Sequence, residues 1–261
     1  MLPKDLVCYL LPVENQDIAE IAIRARIMPE PGVLAKISGI LAKHNVRILA
    51  LNFSSEKDKR FLLAFIDMSN SDVGINSLIN ELKQLEFIEK IVVRKKSVNS
   101  FIVNRIGYPI TTGRGAISIV LLNRNSFSNL IRTMYEEMSD AGMSFMFYQG
   151  KLLGSKDAEI FVEHIWTIDQ DTISEVLNIL LAHGWGIPKL IKFSSSEIIV
   201  HLYDSFESLV MAKKSERPMC FFIKGYIAGL LSTILKKEVH VEETKCIAMG
   251  DPYCEFRIKI P

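Results

Sequence analysis

The chain has 261 residues, of which 49% are apolar and 23% charged, so it is long and apolar enough to fold as two globular domains. Its formal net charge is +1 and its basic clusters are short. This balance argues against a protein that binds nucleic acid through electrostatics.

The sequence shows neither a secretory signal nor a membrane-spanning segment. The N-terminal stretch carries one lysine and a short apolar run that Pro12 interrupts, which does not match a signal peptide. Residues 219–235 are very apolar, but about 17 residues with Lys224 among them predict a buried helix rather than a membrane span. We therefore expect a cytoplasmic protein with no membrane contact. Its four cysteines are then reduced, which favours metal ligands or core residues over disulfides.

Residues 18–95 show the element order βαββαβ. The first strand, EIAIRARIM, alternates, with one face carrying Ile21, Ile23, Ala25 and Ile27 and the other carrying Arg24 and Arg26. Apolar residues at helical spacing follow, with Pro31 in the first turn of the predicted helix. The remaining elements are the strands VRILALNFS and RFLLAFIDM, the helix SDVGINSLINELKQL and the strand FIEKIVVRK. This order predicts a ferredoxin-like domain.

The polar segment KKSVNS, about residues 95–100, predicts a linker, so we place the domains at 1–96 and 97–261. Beyond it, helical patterns occur in SFSNLIRTMYEEMSDAGM, which ends near Gly142, QDTISEVLNILLAHGWG and ERPMCFFIKGYIAGLLSTILKK. Strand-like segments lie among them: AEIFVEHIWTI, EIIVHLYDSFES, EVHVEETKC and CEFRIKI. The second domain is predicted to mix helices with an antiparallel sheet, and the protein to belong to the α+β class.

The loop between the first strand and the first helix is a candidate ligand site, formed by Glu30, Pro31, Gly32, Val33 and Leu34. A carboxylate near a helix start can satisfy free N–H groups, and a glycine there lets a ligand approach the backbone closely. The amides of a helix start favour a small anion such as the carboxylate of an amino acid. The same residues also suit a tight turn without a ligand, so both interpretations stay open.

With this element order, the stretch PEPGVLAKISGILAKHNVRILAL resembles the ACT domain, a small regulatory module. The resemblance covers residues 18–95. It implies amino-acid binding at the loop of residues 30–34, or dimerisation without a ligand. Modules of this kind usually pair, so we expect a homodimer.

Four residues with metal-ligating side chains stand in the last part of the chain: Cys220, Glu243, Cys246 and Cys254. Zinc binds thiolates, imidazoles and carboxylates, and a structural zinc site uses four of them in a tetrahedron. Four protein ligands leave no position for an activated water, so this set favours a structural zinc over a hydrolytic one.

The spacing of these residues leaves alternatives open. On a regular strand Glu243 and Cys246 face opposite sides, so a shared metal requires a bend or bulge between them. The thiols could instead pack as core residues, or Cys246 and Cys254 could form a disulfide. His240 or His201 could also replace Glu243 as a ligand.

The segments YPITTGRG, GWG, DSFES, CFFIKGYIAGLLS and ETKCIAMGDPYC resemble the 4-vinyl reductase domain, which also forms the sensor half of bacterial phenol-responsive activators. The resemblance covers residues 101–261. In those sensors, zinc is held by a cysteine at a helix start and then by Glu, Cys and Cys. The resemblance therefore implies a structural zinc on Cys220, Glu243, Cys246 and Cys254.

The same resemblance implies a ligand pocket in the second domain. In the phenol sensors a tryptophan and a histidine bond the phenol hydroxyl, and the tryptophan position falls on Leu202 here. Leucine donates no hydrogen bond, so we expect a more apolar ligand than phenol. The candidate lining, with a plain core as the alternative, is Trp185, Leu202, Phe206, Phe222 and Tyr226. Gly225 and Gly229 allow a close approach, as a cavity wall, a dimer contact or packing within the domain.

The 261 residues contain no nucleotide-binding loop, nucleophile elbow or helix-turn-helix motif, and we expect no enzymatic activity. The first hypothesis is a regulatory protein that senses an amino acid or an apolar metabolite and signals through its oligomeric state or a separate output protein. The alternatives are a reductase or accessory factor for a large apolar substrate, and a scaffold module for assembly.

Overall fold

The computed structural model describes residues 10–12, 16–27, 31–56, 58–98, 100–112, 117–212 and 215–261. The chain divides into two compact units, residues 1–121 and 122–261. Both units combine helices with antiparallel strands, which confirms the predicted α+β class. In the described ranges, no helix has the length and hydrophobicity needed to cross a bilayer.

The described elements of the first unit are β1 (Leu10–Pro12), β2 (Ile18–Arg26), α1 (Val33–Lys43), β3 (Arg47–Glu56), β4 (Lys59–Asp67), α2 (Ile75–Lys83), β5 (Ile88–Lys95), β6 (Phe101–Val103), β7 (Thr111–Thr112) and β8 (Ile117–Ser118). Four of them form an antiparallel sheet in the order β3-β4-β2-β5. This is the sheet order of a ferredoxin-like domain, as the element order predicts.

Strand β2 shows why the alternating pattern works. Ile21, Ile23 and Ala25 are at most 2% exposed and join the core that the two helices cover. The strand ends at Arg26, so Ile27 is 39% exposed instead of extending the buried face. Helix α1 begins only at Val33, so the proline at position 31 precedes the helix and does not lie in its first turn.

Residues 101–106 are fastened to the first unit. Strand β6 pairs with β1, and Ile102 is 6% exposed in a small apolar cluster. The carboxylate of Glu20, which is fully buried, accepts hydrogen bonds from Asn104 Nδ2 (2.5 Å), Arg105 N (3.1 Å) and Ile106 N (3.2 Å). The boundary between the units therefore lies after residue 121, beyond the polar segment at 95–100.

The described elements of the second unit are α3 (Arg124–Val162), α4 (Gln170–Leu177), α5 (Ile179–Ala182), β9 (Ile187–Phe193), β10 (Glu197–Tyr203), α6 (Phe206–Leu209), α7 (Phe221–Leu235), β11 (His240–Lys245) and β12 (Cys254–Lys259). The four strands form an antiparallel sheet in the order β11-β12-β10-β9. Ile198, Val200 and Leu202 alternate along β10 and are fully buried against the helices.

Helix α3 differs from the prediction. It does not end near Gly142 but continues to Val162, with a kink at Ser139, whose backbone has φ 48° and ψ −130°. The predicted strand AEIFVEHIWTI is therefore wrong. Ala158 and Phe161 contact the core at helical spacing, and burial of this helical face prevails over the short alternating pattern.

Helices α3 and α7 pack closely through glycines on both sides. Gly150 and Gly154 lie on α3, and Gly225 and Gly229 lie on α7. A Cβ atom at Gly225 would collide with the backbone carbonyl of Phe147. Of the roles considered for the α7 glycines, packing within the unit is the one that the structure supports.

Candidate metal centre

Four side chains converge where the start of α7 meets the β11–β12 hairpin. Cys220 is the N-cap residue of α7, Glu243 lies on β11, Cys246 directly follows β11, and Cys254 begins β12. Their ligand atoms lie within 4.8 Å of one another, and the three thiols are fully buried. The structure thus brings together the four residues that the sequence singles out.

A bulge in β11 lets two of these side chains share one site. Glu243 pairs with Phe256 and Lys245 pairs with Glu255, so the register shifts between the two pairs. Such a bulge inserts an additional residue and turns the following side chain. It is the departure from regular strand geometry that Glu243 and Cys246 require in order to face the same ion.

The sulfur atoms have the spacing of a metal site. Cys220 Sγ lies 3.5 Å from Cys254 Sγ and 4.0 Å from Cys246 Sγ, and Cys246 Sγ lies 4.0 Å from Cys254 Sγ. Tetrahedral bonds of about 2.3 Å to zinc would place two sulfurs roughly 3.8 Å apart. All three cysteines are free, so the alternative of a Cys246–Cys254 disulfide is wrong.

The carboxylate of Glu243 is incompletely satisfied. Its Oε2 atom accepts a hydrogen bond from Cys220 N at 2.9 Å. Its Oε1 atom is buried and has no hydrogen-bond partner in the part of the chain that the structure describes. A buried carboxylate oxygen is costly without a partner, and a cation beside the thiols would supply one.

The charges of the four groups conflict in the absence of a cation. Burial raises the pKa values of Glu243 and Cys220 well above their usual ranges. Hydrogen bonds from the Cys220 and Cys246 thiols lower the pKa of Cys254 to about 5. A divalent ion would stabilise all four groups in their ionised forms. The residues therefore fit such an ion in donor type, number and spacing, and could hold it.

Neither histidine considered as a replacement ligand belongs to the cluster. His201 Nε2 lies 2.8 Å from Glu255 Oε2, and both side chains alternate with the buried residues of their strands. His240 is exposed at the start of β11. Glu243 is the fourth member of the cluster.

Hydrogen-bond donors around the sulfurs escaped the sequence analysis. Ser208 Oγ lies 3.3 Å from Cys254 Sγ, and Ile247 N donates to the same sulfur at 3.5 Å. Ser205 Oγ lies 3.7 Å from Cys220 Sγ. Both serines belong to the segment DSFES, which the sequence marks as a motif, but their contact with the thiols depends on the folded chain.

The predicted pocket residues also converge, but as a packed cluster. Leu202, Phe206, Phe222 and Tyr226 are at most 1% exposed. The Trp185 ring lies 4.9 Å from the Tyr226 ring and 5.2 Å from the Phe222 ring, measured between centroids. These side chains fill the space between them, and only Trp185 is partly exposed.

The loop of the first unit is described in part, because Glu30 lies outside the described residues. Gly32 is the N-cap of α1 at φ 135°, a conformation that favours glycine, and a Cβ there would meet no atom within 4 Å. The helix start has no side-chain cap. Val33 is buried in the core and Leu34 packs against it, so these two side chains serve the fold.

The comparisons with known proteins concern mainly the second unit. Residues 199–260 match the 4-vinyl reductase domain. All four members of the cluster lie within this match. An uncharacterised protein of Methanocaldococcus jannaschii is 36% identical over 94 residues, which are 36% of this chain. The match spans 54% of that relative, so the chain covers about half of its length.

Solved structures extend the similarity to the fold. The phenol-responsive sensory domain of the transcription activator PoxR is similar with a TM-score of 0.50 at 18% identity, over 56% of this chain and 79% of that domain. An ACT domain from GTP pyrophosphokinase of Chlorobium tepidum matches with a TM-score of 0.25 and 15% identity, over 30% of this chain and 99% of that domain. That score is too low to carry an argument, so the ACT-like assignment stays a prediction.

Proposed function

We propose that this protein is a small-molecule-sensing regulator whose second unit binds an apolar metabolite, and that it signals through its oligomeric state or a partner protein rather than by catalysis. The observation that supports this proposal is the match to the 4-vinyl reductase domain at residues 199–260. It lies in a unit whose fold is similar to a phenol-responsive sensory domain.

The metal of the proposed sensor is a structural zinc ion held by Cys220, Glu243, Cys246 and Cys254. Three thiolates and one carboxylate suit a structural zinc, since four protein ligands close the tetrahedron. Bound there, the ion would cross-link the start of α7 to the β11–β12 hairpin and neutralise part of the ligand charge. Its role is to hold the ligand-binding unit in shape.

The ligand enters at Trp185. This ring is the partly exposed member of the aromatic cluster, and it stands between Gly184, at φ 74°, and Gly186. Glycines on both sides give the segment backbone freedom, so the indole can move away from Phe222 and Tyr226 and an apolar molecule can take its place. The fully buried Leu202 keeps this region free of hydrogen-bond donors, which favours an apolar ligand over phenol.

The first unit binds an amino acid at the uncapped start of α1, or it mediates the pairing of two chains. The open space beside Gly32 and the absence of a side-chain cap support the binding role. The homodimer remains part of the proposal and is tested by light scattering coupled to size-exclusion chromatography, with and without ligand.

Thermal unfolding of the zinc-loaded full chain in a library of apolar metabolites and amino acids tests the sensing function. A ligand at about 100 times its Kd stabilises the folded protein by about 2.7 kcal/mol. This corresponds to a rise in Tm of roughly 5–10 °C for a protein of this size. Trp185→Ala should abolish the shift by an apolar ligand, whereas Trp166→Ala, at a residue that is 94% exposed, should leave it unchanged.

The direct packing of the aromatic side chains favours a second candidate function, a scaffold module in which the cluster is an ordinary core. That candidate predicts no stabilisation by any compound of the library and a stable complex with another protein. A flavin or nicotinamide that copurifies with the chain would instead support the reductase alternative.

A further inference from the structure

Helix α7 begins with a residue that does not cap it. The N-cap residue is Cys220, whose side chain makes no hydrogen bond to the helix and whose sulfur contacts Cys254 Sγ. A Ser, Thr, Asp or Asn at an N-cap would accept a hydrogen bond from the second or third amide of the helix. Because Cys220 is directed to the thiol cluster, these amides need an acceptor from elsewhere.

Glu207 of α6 supplies this acceptor. Its Oε1 atom accepts from Phe222 N at 2.8 Å and its Oε2 atom accepts from Ile223 N at 2.9 Å. The Tyr135 hydroxyl of α3 also donates to Oε1. Glu207 is 1% exposed, and both of its oxygens are occupied by donors. A carboxylate at this end of the helix also interacts favourably with the helix dipole.

The turn that carries Glu207 also contacts the sulfur atoms. Ser205 and Ser208, on either side of it, lie against the sulfurs of Cys220 and Cys254. The backbone around Cys220 is therefore held by two carboxylates. Glu243 accepts from Cys220 N and belongs to the cluster of possible ligands, whereas Glu207 holds the next amides and is not one of those ligands.

We propose that Glu207 is a positioning residue of the metal centre: it caps α7 in place of Cys220 and thereby directs the Cys220 sulfur towards the other three ligands. This inference rests on the metal site proposed above. Outer-shell partners of metal ligands typically account for about 10- to 100-fold in metal affinity. Glu207→Gln retains the shape of the side chain but offers only one acceptor oxygen, so one amide of α7 loses its partner.

Competition for Zn²⁺ between the full chain and a chromophoric chelator measures the effect. We expect Glu207→Gln to weaken zinc binding by about 10- to 100-fold and to change the thiolate absorption of the Co²⁺-loaded protein. Tyr226→Phe is the control, because it removes a hydrogen bond to Asp157 farther along the same helix, at 2.7 Å, and should leave both readouts unchanged.

Unchanged zinc affinity and an unchanged cobalt spectrum in Glu207→Gln would overturn the proposal, even if the variant were less stable. If Glu207→Gln does not fold, Tyr135→Phe takes its place, because it removes a single donor to Glu207. A several-fold loss of zinc affinity in Tyr135→Phe supports the positioning role, and an unchanged affinity contradicts it. Absence of zinc binding by the unaltered chain would reject the metal site itself, a result distinct from that of the variants.

Discussion

The sulfur of Cys220 lies 3.5 Å from the sulfur of Cys254, although the two residues are 34 positions apart in the chain. This contact joins the start of a buried helix to the first residue of the last strand. Metal binding at this junction would stabilise the unit by linking two elements that are distant in sequence.

Elemental analysis of the purified chain should give one zinc per molecule. Cys254→Ser removes one of four ligands and should weaken zinc binding by more than the roughly 100-fold that an outer-shell partner can account for. Chelation of the zinc should lower the Tm of the second unit. Cys8→Ser is the matched control, since Cys8 is not among the four clustered residues, and it should retain the full zinc content. Equal zinc content in the two serine variants would contradict the site.

The sequence predicted those features that depend on local patterns. Alternation identified β2 and β12, and residue types with metal chemistry identified the four members of the cluster. The requirement for a bulge between Glu243 and Cys246 followed from strand geometry alone. These features depend on the side-chain period of a strand and on ligand chemistry, both of which can be read from the chain.

Other features depend on contacts between distant segments. The Glu207 carboxylate contacts residues 15 and 72 positions away, and no local pattern indicates this. The aromatic residues were expected to line a pocket, but whether side chains leave space or fill it depends on their packing in three dimensions. The strand predicted for AEIFVEHIWTI failed because a short alternating run also fits the helical face of α3.

Asn104→Ala should release residues 101–106 from the first unit. The Asn104 side chain donates to the buried Glu20 carboxylate and accepts from Gly107 N at 3.1 Å. Leaving a buried carboxylate short of a donor costs about 1–3 kcal/mol. Hydrogen exchange measured by mass spectrometry should show faster exchange in β6. Asn52→Ala, at an exposed position of β3, is the control and should leave β6 protected. Unaltered exchange in Asn104→Ala would contradict the fastening role of this contact.

Gly225→Ala should destabilise the second unit. The new methyl group would collide with the backbone carbonyl of Phe147, and a backbone atom cannot move away as a flexible side chain can. Overpacking of this kind costs about 1–3 kcal/mol, which denaturant unfolding can measure. Gly39→Ala is the opposite case: Gly39 lies inside α1 and a Cβ there meets no atom within 4 Å. This substitution should stabilise the first unit by about 0.5–1 kcal/mol. A neutral Gly225→Ala would show that the two helices can separate without cost.

The stability of the first unit should fall as the pH rises above neutrality, because of His44. Its Nδ1 atom lies 2.9 Å from Asp72 Oδ1 and its Nε2 atom lies 2.6 Å from Glu81 Oε2, so both ring nitrogens must donate. The hydrogen bonds to Glu81 and Asp72 raise the pKa of His44 above its usual value near 6.5. A raised folded-state pKa means that the stabilisation is complete below the unfolded-state pKa and is lost as the pH rises through the folded-state value. Thermal unfolding from about pH 6 to about pH 9 should therefore show a declining Tm for the first unit. His44→Gln should lack this decline, because a glutamine amide does not titrate. Lys43, which donates to Glu81 Oε1 at 2.7 Å, remains charged over this range. A His44 pKa at or below 6.5 in an NMR titration, or the same pH profile in His44→Gln, would contradict this assignment.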